Sequence, residues 1–267
     1  MELEYVLMDP TGNLTALVRT AVPVDRQPAL AQALMDAEPS AEQVGFLSPG
    51  GDGADTSLRM AGGEFCGNAT MCAAALFAAA RGAEEADVSV RVSGARELVR
   101  VHLAAEPDGS WRCAELLPER PSAELVTLPL NGGELRVPLL RFDGISHLIL
   151  PGDLDRGLAE RAAPDWCAAL GAEALGCMLL DEAAGRLTPL VWVPGAQTLF
   201  WEHSCASGTA AVGAWSAVDK NQDFSVELKQ PGGSIGVSVE YSDETMKSLV
   251  INGKVRISST CSVELDI

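Results

Sequence analysis

The sequence predicts an α+β protein of two similar halves with a cleft between them. Three observations carry this. Two Ala-rich helical runs, Ala69 to Arg81 and about Thr209 to Val218, each follow a turn that holds a cysteine, and strand-like segments flank both. Glu64-Phe65-Cys66-Gly67-Asn68-Ala69-Thr70 and Glu202-His203-Ser204-Cys205-Ala206-Ser207-Gly208-Thr209 fall at corresponding places in the two halves. Pro118 and Pro121 mark a boundary, dividing the chain into 1–120 with Cys66 and 121–257 with Cys205. A chance likeness of two small-residue helices is the alternative.

In order, Leu3–Met8 reads as a strand, Asp9–Asn13 as a turn and Leu14–Val18 as the returning strand. Pro28–Met35 is a short helix, Pro49–Gly53 a loop rich in glycine, and Ser57–Ala61 a strand before the first cysteine turn. Strands follow at Val88–Val92, Leu98–Leu103 and Arg112–Leu117. In the second half they are expected at Glu134–Leu140, Ile145–Leu150, Cys177–Leu180 and Leu190–Val193. After the second helix they return at Ser225–Leu228, Ile235–Tyr241 and Leu249–Ile257, and Ser262–Leu265 pairs back with the first half.

The bulk numbers remove several function classes. Apolar residues make up 47% of the 267, enough for a full core and too many for a disordered chain. The formal net charge of -18 repels a phosphate backbone, so nucleic acid is not an expected partner. Met1-Glu2-Leu3-Glu4 is acidic where a signal peptide would be basic, and no apolar run is long enough to span a membrane. A cytoplasmic location and no membrane association are expected; a homodimer is left open. Seven scattered cysteines with no Cys-x-x-Cys pair suggest neither a disulfide framework nor a zinc site, and no metal is expected.

Most buried cysteines are packing residues. Cys72, Cys113, Cys167, Cys177 and Cys261 are read that way. Cys66 and Cys205 differ, because both precede the first turn of a helix. The first N–H groups there lack intrahelical partners and the macrodipole is positive. These effects lower a thiol pKa, and the same N–H groups bind a carboxylate. Gly67, Asn68, Ala206, Ser207 and Gly208 are small and leave that backbone open. A thiolate on one face of an α-carbon and a thiol on the other make a racemase pair. Donors aimed at the substrate carboxylate then take up the charge of the carbanion. No glycine-rich nucleotide loop stands in strand–helix context, and no cofactor is expected. Glu64 and His203 are polar candidates beside the turns, each equally readable as a surface residue.

At these residues the sequence resembles the diaminopimelate epimerase family. Glu64-Phe65-Cys66-Gly67-Asn68 matches its Glu-x-Cys-Gly-Asn motif, and Cys205-Ala206-Ser207-Gly208-Thr209 is similar to its second cysteine turn. Pro10-Thr11-Gly12-Asn13, Gly144-Ile145-Ser146-His147 and Gln230-Pro231-Gly232-Gly233 resemble three further turns, so the likeness runs along nearly the whole chain. The resemblance implies two pseudo-symmetric halves, each a sheet wrapped around a central helix, with the final strand 258–267 returning to the first half. It implies a cofactor-independent amino-acid racemase or epimerase with Cys66 and Cys205 as the acid/base pair. Asn13, Asn68 and the backbone near Gly67, Ser207 and Gly208 are the implied substrate contacts.

The departures concern the substrate. Ser57, Ile145 and Ala196-Gln197 stand where the epimerases carry the groups that hold the distal end of diaminopimelate. The expected substrate is therefore a different amino acid, histidine being one candidate since histidine racemases share the family. Arg59, Glu202 and His203 are the new polar candidates for its side-chain pocket. The competing readings are a true diaminopimelate epimerase, a proline-racemase-like or phenazine-biosynthesis-like isomerase, and a non-catalytic binding module. Retention of both turn cysteines speaks against the phenazine type and the binding module.

Overall fold

The computed structural model describes residues 1–118 and 120–265. The first half runs β1 (Glu2–Pro10), β2 (Thr15–Val18), α1 (Gln27–Ala37), β3 (Gln43–Pro49), β4 (Thr56–Met60), α2 (Gly67–Ala80), β5 (Glu85–Val92), β6 (Val99–Ala105) and β7 (Ser110–Leu116). The second runs β8 (Ser122–Leu130), β9 (Gly133–Phe142), β10 (Ile145–Pro151), α3 (Arg156–Leu170), β11 (Leu175–Asp181), β12 (Arg186–Val193), β13 (Thr198–Trp201), α4 (Ala206–Lys220), β14 (Phe224–Gln230), β15 (Gly233–Ser242) and β16 (Thr245–Glu264).

Strands β1 to β7 pair in sequence order, and β16 joins β7 to β1, closing an eight-stranded barrel. On its other edge β16 continues through β15, β14, β12, β11, β10 and β9 to β8, with β13 beside β12. The pairings repeat. Parallel pairs β2–β3 and β4–β5 bracket α1 and α2; β10–β11 and β12–β14 bracket α3 and α4. The fold is thus a mixed α/β architecture with few helices, built from one pattern used twice.

The two cysteine-led helices fill the interiors. Helix α2 touches strands all around the barrel, and α4 touches β8, β9, β10, β14, β15 and β16. A barrel of eight strands is narrow. The run of alanines in α2, with Ala69, Ala73, Ala74, Ala75 and Ala78 almost wholly buried, lets the helix fit there. Helices α1 and α3 lie outside, each over a smaller apolar cluster.

Local chemistry explains where reading the sequence fell short. Helix α3 was not expected, because Gly157 and Pro164 break the pattern. It is held by Asp155, whose Oδ1 accepts the Leu158 N–H at 2.9 Å, and it ends at Gly171 in the left-handed region. Strand β8 also escaped; it contains Pro129, which an edge strand tolerates. Strand β3 lay in a stretch left unassigned. The two strands expected at Leu249–Ile257 and Ser262–Leu265 are one strand, β16, with Leu265 just past its end. Its pairing with the first half begins at Val250 on β7, earlier than the expected boundary at 258. Residues 266 and 267 of the expected returning strand lie outside the described residues.

Ile251 on β16 is wholly buried, opposite Glu115 on β7 and Val237 on β15. Ile251→Ala should cost about 2–5 kcal/mol by transfer and cavity together. A single cooperative thermal transition, shifted down by several degrees, is the expected calorimetric result. An independently melting half would show that β16 does not couple them.

Candidate active site

Cys66 and Cys205 are conformational twins. Each is the N-cap of its central helix, with φ, ψ of -138°, 109° and -134°, 110°. The Cys66 Sγ accepts the Ala69 N–H, and the Cys205 Sγ accepts the Gly208 N–H, both at 3.4 Å. Thr70 and Thr209, four residues on, donate their hydroxyls to the carbonyls of Cys66 and Cys205. The two helix starts abut: a Cβ added to Gly67 would lie 3.0 Å from the Ala206 Cβ.

Buried amides lock the turns together. Asn13 and Asn68 both donate Nδ2–H to the Ser204 carbonyl, at 2.8 and 2.9 Å, and the Ser204 hydroxyl donates to Pro10 O. Their Oδ1 atoms are buried without a partner among the described residues. The turn before Asn13 approaches the Gln230–Gly233 turn so closely that a Cβ on Gly12 would fall 2.4 Å from the Gly232 Cα. Gly12 also sits at φ +86°, so glycine is required there on two counts. Gln230 accepts the Cys205 N–H through Oε1 and donates Nε2–H to Thr209.

Each thiol has its own polar neighbour. The Cys66 thiol donates to Gln43 Oε1 at 3.1 Å. Beside Cys205 the acidic neighbour is Glu202, whose charge raises the thiol. Ser207 Oγ lies 3.6 Å from the Cys205 Sγ and 3.0 Å from Nε2 of the fully buried His147. Burial pulls His147 down to about 3, so its imidazole is neutral. A neutral ring with its hydrogen on Nε2 donates to Ser207, which donates in turn to the sulfur.

A small cavity of about 30 Å³ opens beside the cysteine turns, lined by Glu42, Gln43, Glu64, Ala196, Phe200 and Glu202 among others. Burial and then Glu42 push Glu202 up to about 8, and Glu64 also acts to raise it. Burial also raises Glu64, the Arg59 charge pulling the other way. His203 does not line this cavity: it is half exposed, its ring Nδ1 pairs with Glu42 and its backbone N–H donates to Glu42 Oε2 at 3.0 Å. Arg59 sits behind Gly63 rather than in the cavity lining. The residues that escaped notice in the sequence are Glu42, Gln43, Gln230 and His147 as a hydrogen-bond partner. Gln230 and His147 lay inside motifs already quoted; Glu42 and Gln43 carried no local signal.

The expected lowering of the thiols is reversed. Burial, with Glu202 next, pushes both Cys66 and Cys205 up, against the N–H donors of Ala69 and Gly208. The helix termini contribute as expected, but the loss of water outweighs them. Among the described residues no group of three or more His, Cys, Asp or Glu is placed to hold a metal ion, and no helix is long and apolar enough to cross a membrane.

Comparison with known proteins places this chain in a class. A hydroxyproline epimerase from Agrobacterium vitis, with bound trans-4-hydroxy-L-proline, shares the fold at TM-score 0.72 and 14% identity, over 100% of this chain and 93% of that one. A Bacillus anthracis phenazine biosynthesis protein of the PhzF family does so at TM-score 0.66 and 12% identity, over 99% and 100%. The protein is an isomerase of the amino-acid racemase and epimerase kind. Its family is narrower: residues 2–263 match the family described as the histidine racemase CntK N-terminal domain, and the chain belongs to that family. A histidine racemase from Staphylococcus aureus is 30% identical over 97% of this chain and 96% of its own length. The resemblance to diaminopimelate epimerases is narrowed accordingly: theirs is a related fold, and the family matched along the chain is that of the histidine racemases.

Thiolate is the form that alkylating agents attack. With both thiols raised, carbamidomethylation of Cys66 and Cys205 in the free enzyme should be slow at pH 7 and still climbing above pH 9. Mass spectrometry against pH checks this; a rate that levels off below pH 8 would show that the helix termini prevail.

Proposed function

We propose that the protein racemises histidine without a cofactor, with Cys66 and Cys205 as the two acid/base groups. The observation that carries the reading is the pair of matched cysteine N-caps at two abutting helix starts. A substrate α-carboxylate takes the N–H groups around Gly67, Asn68, Ser207 and Gly208, where two positive helix ends converge. The unpartnered Oδ1 atoms of Asn13 and Asn68 are acceptors for the α-ammonium group. Glu42, Glu64 and Glu202 make the side-chain pocket acidic, which suits an imidazole that donates a hydrogen bond or carries charge. Nothing in that pocket suits the second carboxylate of diaminopimelate.

The ionisation follows from the same geometry. In the free site both thiols keep their protons. An arriving ammonium adds positive charge to a cleft that burial has made poor in it. Glu202, at about 8, holds its proton most of the time at neutral pH; the ammonium favours release of that proton to water, and the ionised Glu202 then takes the Cys205 proton. The Cys205 thiolate, steadied by Ser207 and the Gly208 N–H, removes the α-proton from one face. The carbanion's charge spreads onto the carboxylate at the helix starts. The Cys66 thiol returns a proton to the other face, and the reverse direction exchanges the two roles.

Cys66→Ser and Cys205→Ser should each lower racemisation at least about a thousandfold, since each removes one side of the proton transfer. Proton NMR in deuterated water should still show α-proton exchange of a single enantiomer in one of them. L-Histidine should be preferred over meso-diaminopimelate by at least about a hundredfold in kcat/KM, since a distal carboxylate would meet three acidic groups. Efficient turnover of diaminopimelate with none of histidine would overturn the substrate assignment. Glu202→Gln should lower kcat about tenfold or more, the scale of a lost general-base partner, with the secondary structure intact by circular dichroism. An unchanged pH–rate profile in that variant would remove Glu202 from the proton path.

A further inference from the structure

On the outer wall of the barrel, away from the cysteines, Arg91, Arg96, Arg100 and Arg120 line one groove of about 540 Å³. In a chain of net charge -18 with 19 lysines and arginines this is a local reversal of sign. The strand register builds it. Ser89 of β5 lies opposite Arg100 of β6, and Arg100 opposite Leu116 of β7. Val90 and Val99 point inward and are buried, so Ser89, Arg91 and Arg100 share the outward face. Leu98, Leu116, Leu117 and Pro118 add an apolar floor.

Elsewhere on the surface arginines find carboxylates: Arg112 pairs with Glu106, Arg141 with Glu124, Arg186 with Asp181 and Arg256 with Asp108. Among the described residues of the groove only Arg96 does, with Asp143. Arg91 and Arg100 have no ion pair among the described residues. Among the described residues Arg120 is held in place by neutral carbonyls, those of Leu117, Pro118 and Lys247. A guanidinium so fixed has lost its freedom before any ligand arrives, and its planar fork matches an oxyanion. Glu97 also lines the groove, Asp143 pairs with Arg96 and the Asp55 carboxylate accepts the Ser89 N–H, so among the described residues the four arginines still exceed the neighbouring carboxylates.

We infer that this groove is a binding site for a small phosphate-bearing anion, separate from the racemase cleft. A volume of this order suits a small molecule rather than a protein surface. Arg91 and Arg100, which share the outward face with Ser89 and make no ion pair among the described residues, suit a multiply charged oxyanion such as a diphosphate better than a monoanion. The apolar floor gives an organic phosphate a place for its remaining atoms.

Isothermal titration of the full-length protein with inorganic pyrophosphate and with ADP, at constant ionic strength and with sodium sulfate as the control, tests this. One site per chain is expected for pyrophosphate or ADP, and at least tenfold weaker binding of sulfate. Arg91→Gln/Arg100→Gln should weaken the diphosphate at least tenfold; both residues face outward, and circular dichroism checks the fold. Arg136→Gln, on a different part of the surface, should leave the affinity unchanged. ADP tighter than pyrophosphate identifies the organic ligand; equal affinities identify the inorganic one. No binding of either overturns the proposal. So does equal loss in Arg136→Gln, which would mean that only net charge is being read, or equal affinity for sulfate, which would mean simple screening.

Discussion

Two amides that donate to one carbonyl hold this site together. Asn13 and Asn68 come from the first half, and Ser204, whose oxygen receives both, immediately precedes the cysteine of the second. All three are buried. A buried carbonyl stripped of such partners costs on the order of 1–3 kcal/mol, so the turns stay in register under a real penalty. The Gly12–Gly232 approach and the Gln230 bridge to Cys205 add to the same alignment. Beneath them, β16 belongs to both sheets, so the central helices cannot shift without disturbing a shared strand.

Alignment has an electrostatic consequence. Bringing two thiols and three carboxyls out of water raises all of them, and the helix starts offset only part of that. The free site is therefore neutral at the sulfurs, and it awaits a positive group. A zwitterionic amino acid supplies one. In the mechanism proposed above, the substrate brings the charge that lets a thiol ionise, and water, which would quench the carbanion, need not be present for the purpose. The two thiols are not equivalent: Cys66 faces a neutral amide and Cys205 a carboxylate. A repeated backbone pattern has come to carry unlike partners on its two copies.

Another buried carboxyl marks the cost of this packing. Glu115 on β7 is wholly buried, with neither oxygen hydrogen-bonded among the described residues, and a Cβ on Gly67 would come within 3.0 Å of it. Burial raises its pKa well above the usual range, which keeps it neutral and spares the adjoining helix start a competing negative charge.

Local pattern alone determined a good deal. Small residues after a cysteine marked both central helices and both N-caps, because a helix start with an open backbone needs short side chains. Most strands around them were legible from alternation, β3 and β8 excepted, while Asn13, Asn68, Ser207 and Gly208 stood in turns that the family resemblance singled out. Other features depended on which distant segments meet. Glu42 and Gln43 lie more than twenty residues before Cys66, and only barrel closure brings Gln43 to the Cys66 sulfur and Glu42 to the cavity beside it. His203, next to Glu202 in the chain, faces outward because the backbone there turns the two side chains to opposite sides. The direction of the thiol shifts was likewise beyond reading: a helix start is visible in the sequence, but the depth of water around it is set by everything packed above.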